Sequence, residues 1–207
     1  MILEFYGLPG AGKTTVSQKI AESSDFKIIK VRSKRELFWY NFLFLIKHPI
    51  KFFVTLFYLF SNSTSWAVFY YKFTNTFLHH NAKYQKALQA RNAILDQGYF
   101  QNILSVLEKP IGVEFFLEYS RFLLKPDKLI ILNLPSEKII ERIGGRGYAA
   151  REIFGREYFN KWLEIVIVNN KTFLENLDKM GVEYKIINAD RSTEEVCGEI
   201  LNILQEK

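Results

Sequence analysis

Eight consecutive residues, Gly7-Leu8-Pro9-Gly10-Ala11-Gly12-Lys13-Thr14, set three glycines ahead of a lysine and a hydroxyl. Glycine is required where backbone N–H groups turn inward and a large anion comes close, because a Cβ would block the approach. A lysine at the end of such a run reaches the outer phosphates of a triphosphate as a point charge, and the hydroxyl after it can ligate Mg2+. The spacing therefore marks Gly7, Gly10, Ala11, Gly12, Lys13, Thr14 and Thr15 as a nucleoside-triphosphate cradle, with Thr14 as metal ligand.

Two more groups could act on a bound phosphate. Ala93-Ile94-Leu95-Asp96 is an apolar run that ends in an acid and is followed by Gln97-Gly98. A carboxylate at a strand tip can support Mg2+ through water or take a proton from a hydroxyl substrate; it can equally cap a helix that starts near Gly98. Arg142, Arg146, Arg151 and Arg156 fall within fifteen residues, around Gly144-Gly145-Arg146-Gly147-Tyr148. Arginines on a glycine-hinged segment suit a lid that closes over a transferring phosphoryl group, since the guanidinium fork matches phosphate oxygens. The plainer alternative is a solvated basic helix end with a glycine cap.

These residues need a scaffold, and the flanking pattern supplies one. Ile2-Leu3-Glu4-Phe5-Tyr6 has strand character, and Val16 and Ile20 show helical spacing after the loop. Strands are expected at 2–6, 27–32, 93–96, 128–133 and 183–188. Helices are expected near 13–23, 34–60, 65–91, 98–108, 113–124, 136–144, 155–179 and 192–205. Ile130-Ile131-Leu132 and Ile186-Ile187 look like strands buried on both faces. The alternation implies an α/β fold, a doubly wound five-stranded parallel sheet whose ligands bind at the carboxyl ends of the strands. One domain over 1–207 is expected, with a helical insertion at about 34–91 and an arginine lid at about 142–156.

Residues 38–77 depart from this alternation, for they hold sixteen of the 33 aromatic residues. Two apolar runs, Leu37 to Ile46 and Phe52 to Phe60, flank Lys47-His48-Pro49-Ile50-Lys51. Each is too short to span a bilayer. The expectation is a helix pair buried on more than one side, in the core or at a homodimer interface. The alternative is a membrane-facing or lipid-acceptor surface, aided by Lys30, Arg32, Lys34 and Arg35.

Composition narrows the function class. The net charge of +6 suits anionic partners, yet no helix-turn-helix, zinc finger or RNP-type strand is present, so bound phosphates account for the charge better than nucleic acid does. The single cysteine, Cys197, cannot form an internal disulfide and suits a reducing compartment. With a strand from residue 2 there is no room for a signal peptide, and a cytoplasmic location is expected. A GTPase switch would need Asp-x-x-Gly after a strand and an Asn-Lys-x-Asp element. Tyr99 stands three residues after Asp96, Asp178-Lys179-Met180-Gly181 lies at a helix end, and Asn-Lys-x-Asp is absent.

With these pieces in order the chain resembles the phosphate-loop nucleotide and nucleoside kinases, and the thymidylate kinases most of all. Phe5 to Thr15 is similar to the family's first strand and loop, Leu95-Asp96 to its third strand end, and Leu132 to Gly147 to its fourth strand, helix and arginine lid. Ile187-Asn188-Ala189-Asp190 is similar to its last strand and adenine-side loop. The resemblance implies strand order 2-3-1-4-5, ATP·Mg2+ as donor with Ala189 beside the adenine, and transfer to a small acceptor, a nucleoside monophosphate in the first instance. Lys13, Asp96, Arg142, Arg146 and Arg151 would be catalytic, with Thr14 and Asp96 near the metal. The family usually carries arginine where this chain has Gln97, and its second strand leads into a different segment from Val31-Arg32-Ser33-Lys34-Arg35-Glu36. Arg32 and Gln97 thus become the acceptor-side candidates. A kinase of a sugar or lipid-linked hydroxyl, and an ATP-binding regulatory protein without transfer activity, are the alternatives.

Overall fold

A computed structural model of the 207-residue chain describes residues 1–144 and 150–205. At its centre runs β1 (Ile2–Tyr6), every residue of which is buried. It is flanked by β3 (Ala93–Leu95) and β4 (Lys128–Asn133), with Leu3 opposite both Ile94 and Lys128. β2 (Lys27–Ile28) and β5 (Tyr184–Asn188) complete a wholly parallel sheet in the order β2-β3-β1-β4-β5. Central strands of such a sheet are covered on both faces, which is why β3 and the middle of β4 read as unbroken apolar runs and β1 as one interrupted only by Glu4.

The edge strands depart from expectation. β2 is two residues long where 27–32 was expected. In β5 only Ile187 is buried and Ile186 lies half in solvent, so the doubly buried reading of that pair is corrected. An edge strand has a neighbour on one side only, and Ile186 faces away from the covering helix. That cover comes from α10 (Thr193–Gln205), which packs on β5 and on α1 (Lys13–Glu22).

The long helical pattern at 34–60 breaks at His48-Pro49 into α2 (Lys34–Lys47) and α3 (Pro49–Ser61), which diverge by 113°. Proline is tolerated at the first position of a helix but not inside one, so Pro49 opens α3 and forbids continuity with α2. The Ser33 side chain caps α2 by accepting from the Glu36 N–H at 3.1 Å. Next come α4 (Trp66–Lys72), a π-helical turn at Phe73–Phe77, and α5 (Leu78–Ala87). Of the sixteen aromatics in 38–77 only Phe44 and Phe77 are fully buried. Within one chain the core half of the expectation, burial on more than one side, is corrected. α2 packs on α5 and α3, and α3 also packs on α4, the π-helical turn and α7 (Val113–Phe122), yet much of the apolar surface of α2 and α3 stays exposed.

The remaining helices are α6 (Asn102–Val106), α8 (Ser136–Gly144) and α9 (Arg156–Glu175). A 3-10 turn at Ala150–Phe154 precedes α9. Among the described residues no single helix is long and apolar enough to cross a membrane.

Candidate functional site

The loop after β1 delivers the conformations its glycines promised. Gly10 and Gly12 sit at φ 88° and 89°, which L side chains rarely adopt, and Gly12 opens α1 directly. Nothing lies within 4 Å of where a Gly12 Cβ would stand. The N-terminal end of α1 therefore meets open space, where its unpaired N–H groups and dipole favour an anion. Lys13 is buried, and its Nζ donates to the carbonyl oxygens of Gly7 (2.7 Å) and Leu8 (3.0 Å). Thr14 and Thr15 remain exposed.

Two cavities share this loop as a common wall, with Gly10, Gly12 and Thr15 lining both. The larger, of about 440 Å3, also takes in Lys13 and Thr14. Gln97 and Gln101 form its β3 side, and Tyr71, Asn75 and Thr76 reach it from α4 and the π-helical turn. Phe159 and Trp162 of α9 close the far side with Arg151. The π-helical turn shifts the side-chain register locally, and such turns recur at functional sites. The smaller cavity, of about 270 Å3, is lined by Ala11, Arg142, Ala189 and Arg191. Arg142 also reaches the loop itself, its Nη1 lying 3.4 Å from the Gly10 carbonyl oxygen.

Arg151 is held by a buried charge network. Its Nη1 donates to Glu108 Oε1 at 3.2 Å, its Nη2 donates to the Ser105 carbonyl, and its guanidinium lies 4.5 Å from the Trp162 ring centroid. Glu108 is shared with Lys72, 3.0 Å away, and accepts from the Tyr158 hydroxyl. Burial works against the Glu108 carboxylate, but Lys72 and the hydrogen bonds outweigh it and hold its pKa below the ordinary value. Burial lowers the Lys72 pKa to about 8, against the pull of Glu108.

Beneath the Gln97–Gln101 segment sits Glu4, fully buried on β1. Its Oε1 accepts from the Phe100 N–H at 2.7 Å, and Gly98 lies so near that a Cβ there would stand 2.5 Å from the carboxyl carbon. Burial raises its pKa to about 8, although the backbone N–H groups of Phe100, Gln101 and Tyr99 and the charge of Lys83 pull it down.

Of the residues singled out from sequence, the structure brings Gly10, Gly12, Lys13, Thr14, Thr15, Gln97 and Arg151 to the larger cavity, and Ala11, Arg142 and Ala189 to the smaller. Gly7 underlies the loop, where a Cβ would come 2.7 Å from the Leu132 carbonyl oxygen of β4. Asp96 lines neither cavity; it is ion-paired with Lys83 of α5 at 2.8 Å. Arg32 is exposed and lines neither, its backbone N–H donating to Glu36. Arg151 is pinned in the wall where a mobile lid arginine was expected, because Glu108 and Trp162 fill the space around it. Arg146 lies outside the described residues. Sequence reasoning missed Gln101, Asn75, Tyr71, Trp162 and Glu4. For Tyr71 and Asn75 the signal was the crowding of aromatics in 38–77, which gives no register, and for Glu4 its place as the lone carboxylate of an apolar strand.

The donor set fits a triphosphate with Mg2+: a loop without Cβ atoms at Gly10 and Gly12, a lysine within it, and an exposed hydroxyl at Thr14. Among the described residues no three His, Cys, Asp or Glu side chains group into a cation cage. A Mg2+ ion here would rely on Thr14, phosphate oxygens and water.

Residues 5–200 match the thymidylate kinase family. The chain belongs to that family. It is 24% identical over 122 residues to a probable thymidylate kinase of Thermococcus gammatolerans, covering 58% of this chain and 55% of that protein. It is 27% identical over 120 residues to one of Thermococcus kodakarensis, at 58% and 55% coverage. The chain thus spans about half the length of the curated relatives it matches. Among solved structures it is similar to deoxyadenosine kinase from M. mycoides with the products dCMP and a flexible dCDP bound, at TM-score 0.56 and 19% identity over the whole of both chains. The same kinase with bound dATP gives TM-score 0.56 and 18% identity, again over both whole chains. That likeness shows the fold, a parallel five-stranded sheet of phosphate-loop kinase type.

Proposed function

We propose that this family member transfers the γ-phosphoryl group of ATP, bound with Mg2+, to a small acceptor, a nucleoside monophosphate as first reading. The observation that carries the proposal is the loop Gly10–Thr15 standing as the shared wall of two cavities. A nucleotide whose base end lies in the smaller cavity, beside Ala189 and Arg142, presents its terminal phosphate across the loop to the larger one. Lys13 would exchange the Gly7 and Leu8 carbonyls for phosphate oxygens, and Arg142 would neutralise charge at the same edge. Mg2+, held by Thr14, supplies charge neutralisation at the bridging oxygens when bound. Tyr71, Phe159 and Trp162 offer planes to an aromatic acceptor, while Gln97, Gln101 and Asn75 offer donors and acceptors at its edges.

One observation favours the second reading, a hydroxyl acceptor. Gln97 lines the cleft at the position where the family usually carries arginine, and Arg151 is already engaged by Glu108. An acceptor without a phosphate would need neither free cation.

The decisive experiment follows ATP loss with Mg2+ and a panel of deoxynucleoside monophosphates, deoxynucleosides and sugars, with Lys13→Ala as control. The proposal expects at least one acceptor to accelerate ATP loss, and Lys13→Ala to lower that rate on the order of 100-fold or more. If every acceptor leaves ATP loss at the level of the control, the chain is an ATP-binding protein and not a transferase.

A further inference from the structure

Glu4 is a buried carboxyl group to which the phosphotransfer scheme gives no task. It sits in the middle of β1 without exposure to solvent, opposite Leu95 of β3 and Leu129 of β4. A carboxyl group there carries a desolvation cost that an apolar side chain would spare the fold. What it gains is a set of backbone contacts. Its Oε1 accepts from the Phe100 N–H at 2.7 Å, and the N–H groups of Gln101 and Tyr99 also turn towards the carboxyl. Gly98 permits this approach, since a Cβ there would stand 2.5–2.9 Å from the carboxyl atoms.

The backbone that Glu4 holds is the β3 side of the larger cavity. Gln97 and Gln101, at the two ends of this segment, line that cavity together with Lys13 and Thr14. Gln101 is buried, and its Oε1 accepts from the Gly7 N–H at 3.4 Å, so the segment also touches the phosphate loop. Neutral contacts fix the side chains on either side. The Tyr99 hydroxyl donates to Asn81 of α5 and its ring stacks on Phe44, while Asn102 Oδ1 meets His80 Nδ1. Glu4 holds the backbone between them. We infer that Glu4 is a positioning residue for the acceptor side of the cleft: through the backbone of residues 98–101 it sets Gln101, and through Gln101 and the Gly7 N–H it joins the acceptor wall to the phosphate loop. Its effect on an acceptor rests on the phosphotransfer reading; the coupling of the two walls does not.

The firmness of this hold depends on charge, because N–H groups bond a carboxylate more strongly than a carboxylic acid. Burial raises the Glu4 pKa to about 8, so the segment is held most firmly above that pH. The titratable groups that face Glu4 are Lys83 and Tyr84 of α5 and Tyr99 of the segment itself. Lys83 is paired with Asp96, and burial pushes both phenols up, so they stay neutral through this range. Leu95 and Leu129, the partners of Glu4 on the neighbouring strands, bring no charge.

The test follows backbone amide resonances of the isotope-labelled full chain, and its steady-state kinetics, from about pH 7 to about pH 9. The Phe100 and Gly7 amides should shift together with a midpoint near 8. KM for the best acceptor should fall about fivefold over the same range, the worth of one hydrogen bond, with kcat little changed. Glu4→Gln reproduces the uncharged carboxyl and should leave both amides and KM flat. Lys72 is also lowered to about 8, so only the part of the step that Glu4→Gln removes counts. Gln101→Met removes the bridge: the Phe100 amide should still titrate, the Gly7 amide should not, and the KM step should vanish. That variant decides the matter should Glu4→Gln fail to fold. The inference is wrong if the Gly7 amide stays still in the parent, or if the KM step survives in either variant. It is equally wrong if both amides titrate while KM does not move, for Glu4 would then be structural only. If no acceptor is turned over, the phosphotransfer reading fails by itself, and the Phe100 and Gly7 amides still decide whether Glu4 couples the two walls.

Discussion

Lys13 waits on the carbonyl oxygens of Gly7 and Leu8, so phosphate binding exchanges two neutral acceptors for charged ones. That exchange favours the anion because hydrogen bonds to charged groups are the stronger kind. Asp96 tests the acceptor class at the same scale. It pairs with Lys83 and lines neither cavity, and a nucleoside monophosphate needs no base because its phosphate oxygen is already a nucleophile. Asp96→Asn should then change turnover by only a few fold, measured as kcat and KM with the best acceptor. A loss of about 10²–10⁴ in kcat would instead place Asp96 as a base for a hydroxyl. Glu4 sets a stability prediction. Its folded pKa of about 8 stands above the ordinary 4.5, so its contribution is fully favourable below pH 4.5 and is lost as pH rises towards 8. Glu4→Gln removes that ionisation. The melting temperature of the variant minus that of the parent should rise steadily from pH 4.5 to pH 8, and a difference independent of pH would contradict it. The loop residues were legible in sequence because glycine spacing and a following lysine are local chemistry. The environment of Glu4 was not, since the backbone that meets its carboxyl group, Gly98 to Gln101, lies ninety-odd residues away along the chain.

At the scale of elements, the cleft is held by contacts between segments far apart in sequence. Lys72 of α4, Glu108 after α6, Arg151 of the 3-10 turn and Tyr158 of α9 meet in one buried network. Removing one partner of a buried charge pair leaves the others uncompensated. Glu108→Gln should therefore cost about 3–5 kcal/mol in urea unfolding and raise KM for the acceptor as Arg151 loses its anchor. A stability within error of the parent would show the network to be slack. Gly98→Ala reports on the neighbouring wall. A Cβ there meets the Glu4 carboxylate at 2.5–2.9 Å, and overpacking of this kind costs about 1–3 kcal/mol by the same unfolding measurement. Helix positions were read from sequence to within a few residues and the break at Pro49 was marked by its charges and proline, while the π-helical turn at Phe73–Phe77 divided a segment that periodicity joined. A hydrophobic repeat says that a helix has an apolar face. It does not say how many neighbours stand ready to cover it, which is why α2 and α3 were expected to be more buried than they are.

For the whole molecule, binding should be visible as stability, because a ligand that prefers the native state raises the folding free energy. A non-hydrolysable ATP analogue at about 100 times its Kd should add about 2.7 kcal/mol, read as a higher melting temperature with the parent and no rise with Lys13→Ala. A true acceptor added to that complex should raise the melting temperature again. The amino-acid sequence by itself determined the parallel sheet, its strand order through family resemblance, and the phosphate loop between β1 and α1, because these rest on local patterns of glycine, lysine and apolar alternation. Only the tertiary structure decided that Gln101, Asn75 and Trp162 share a cleft with Lys13, that Arg151 is pinned by Glu108 while Asp96 is turned to Lys83, and that one aromatic face is left uncovered. Each depends on where the chain returns after tens of residues, and side-chain burial is a property of the neighbours that packing brings, not of the residue itself.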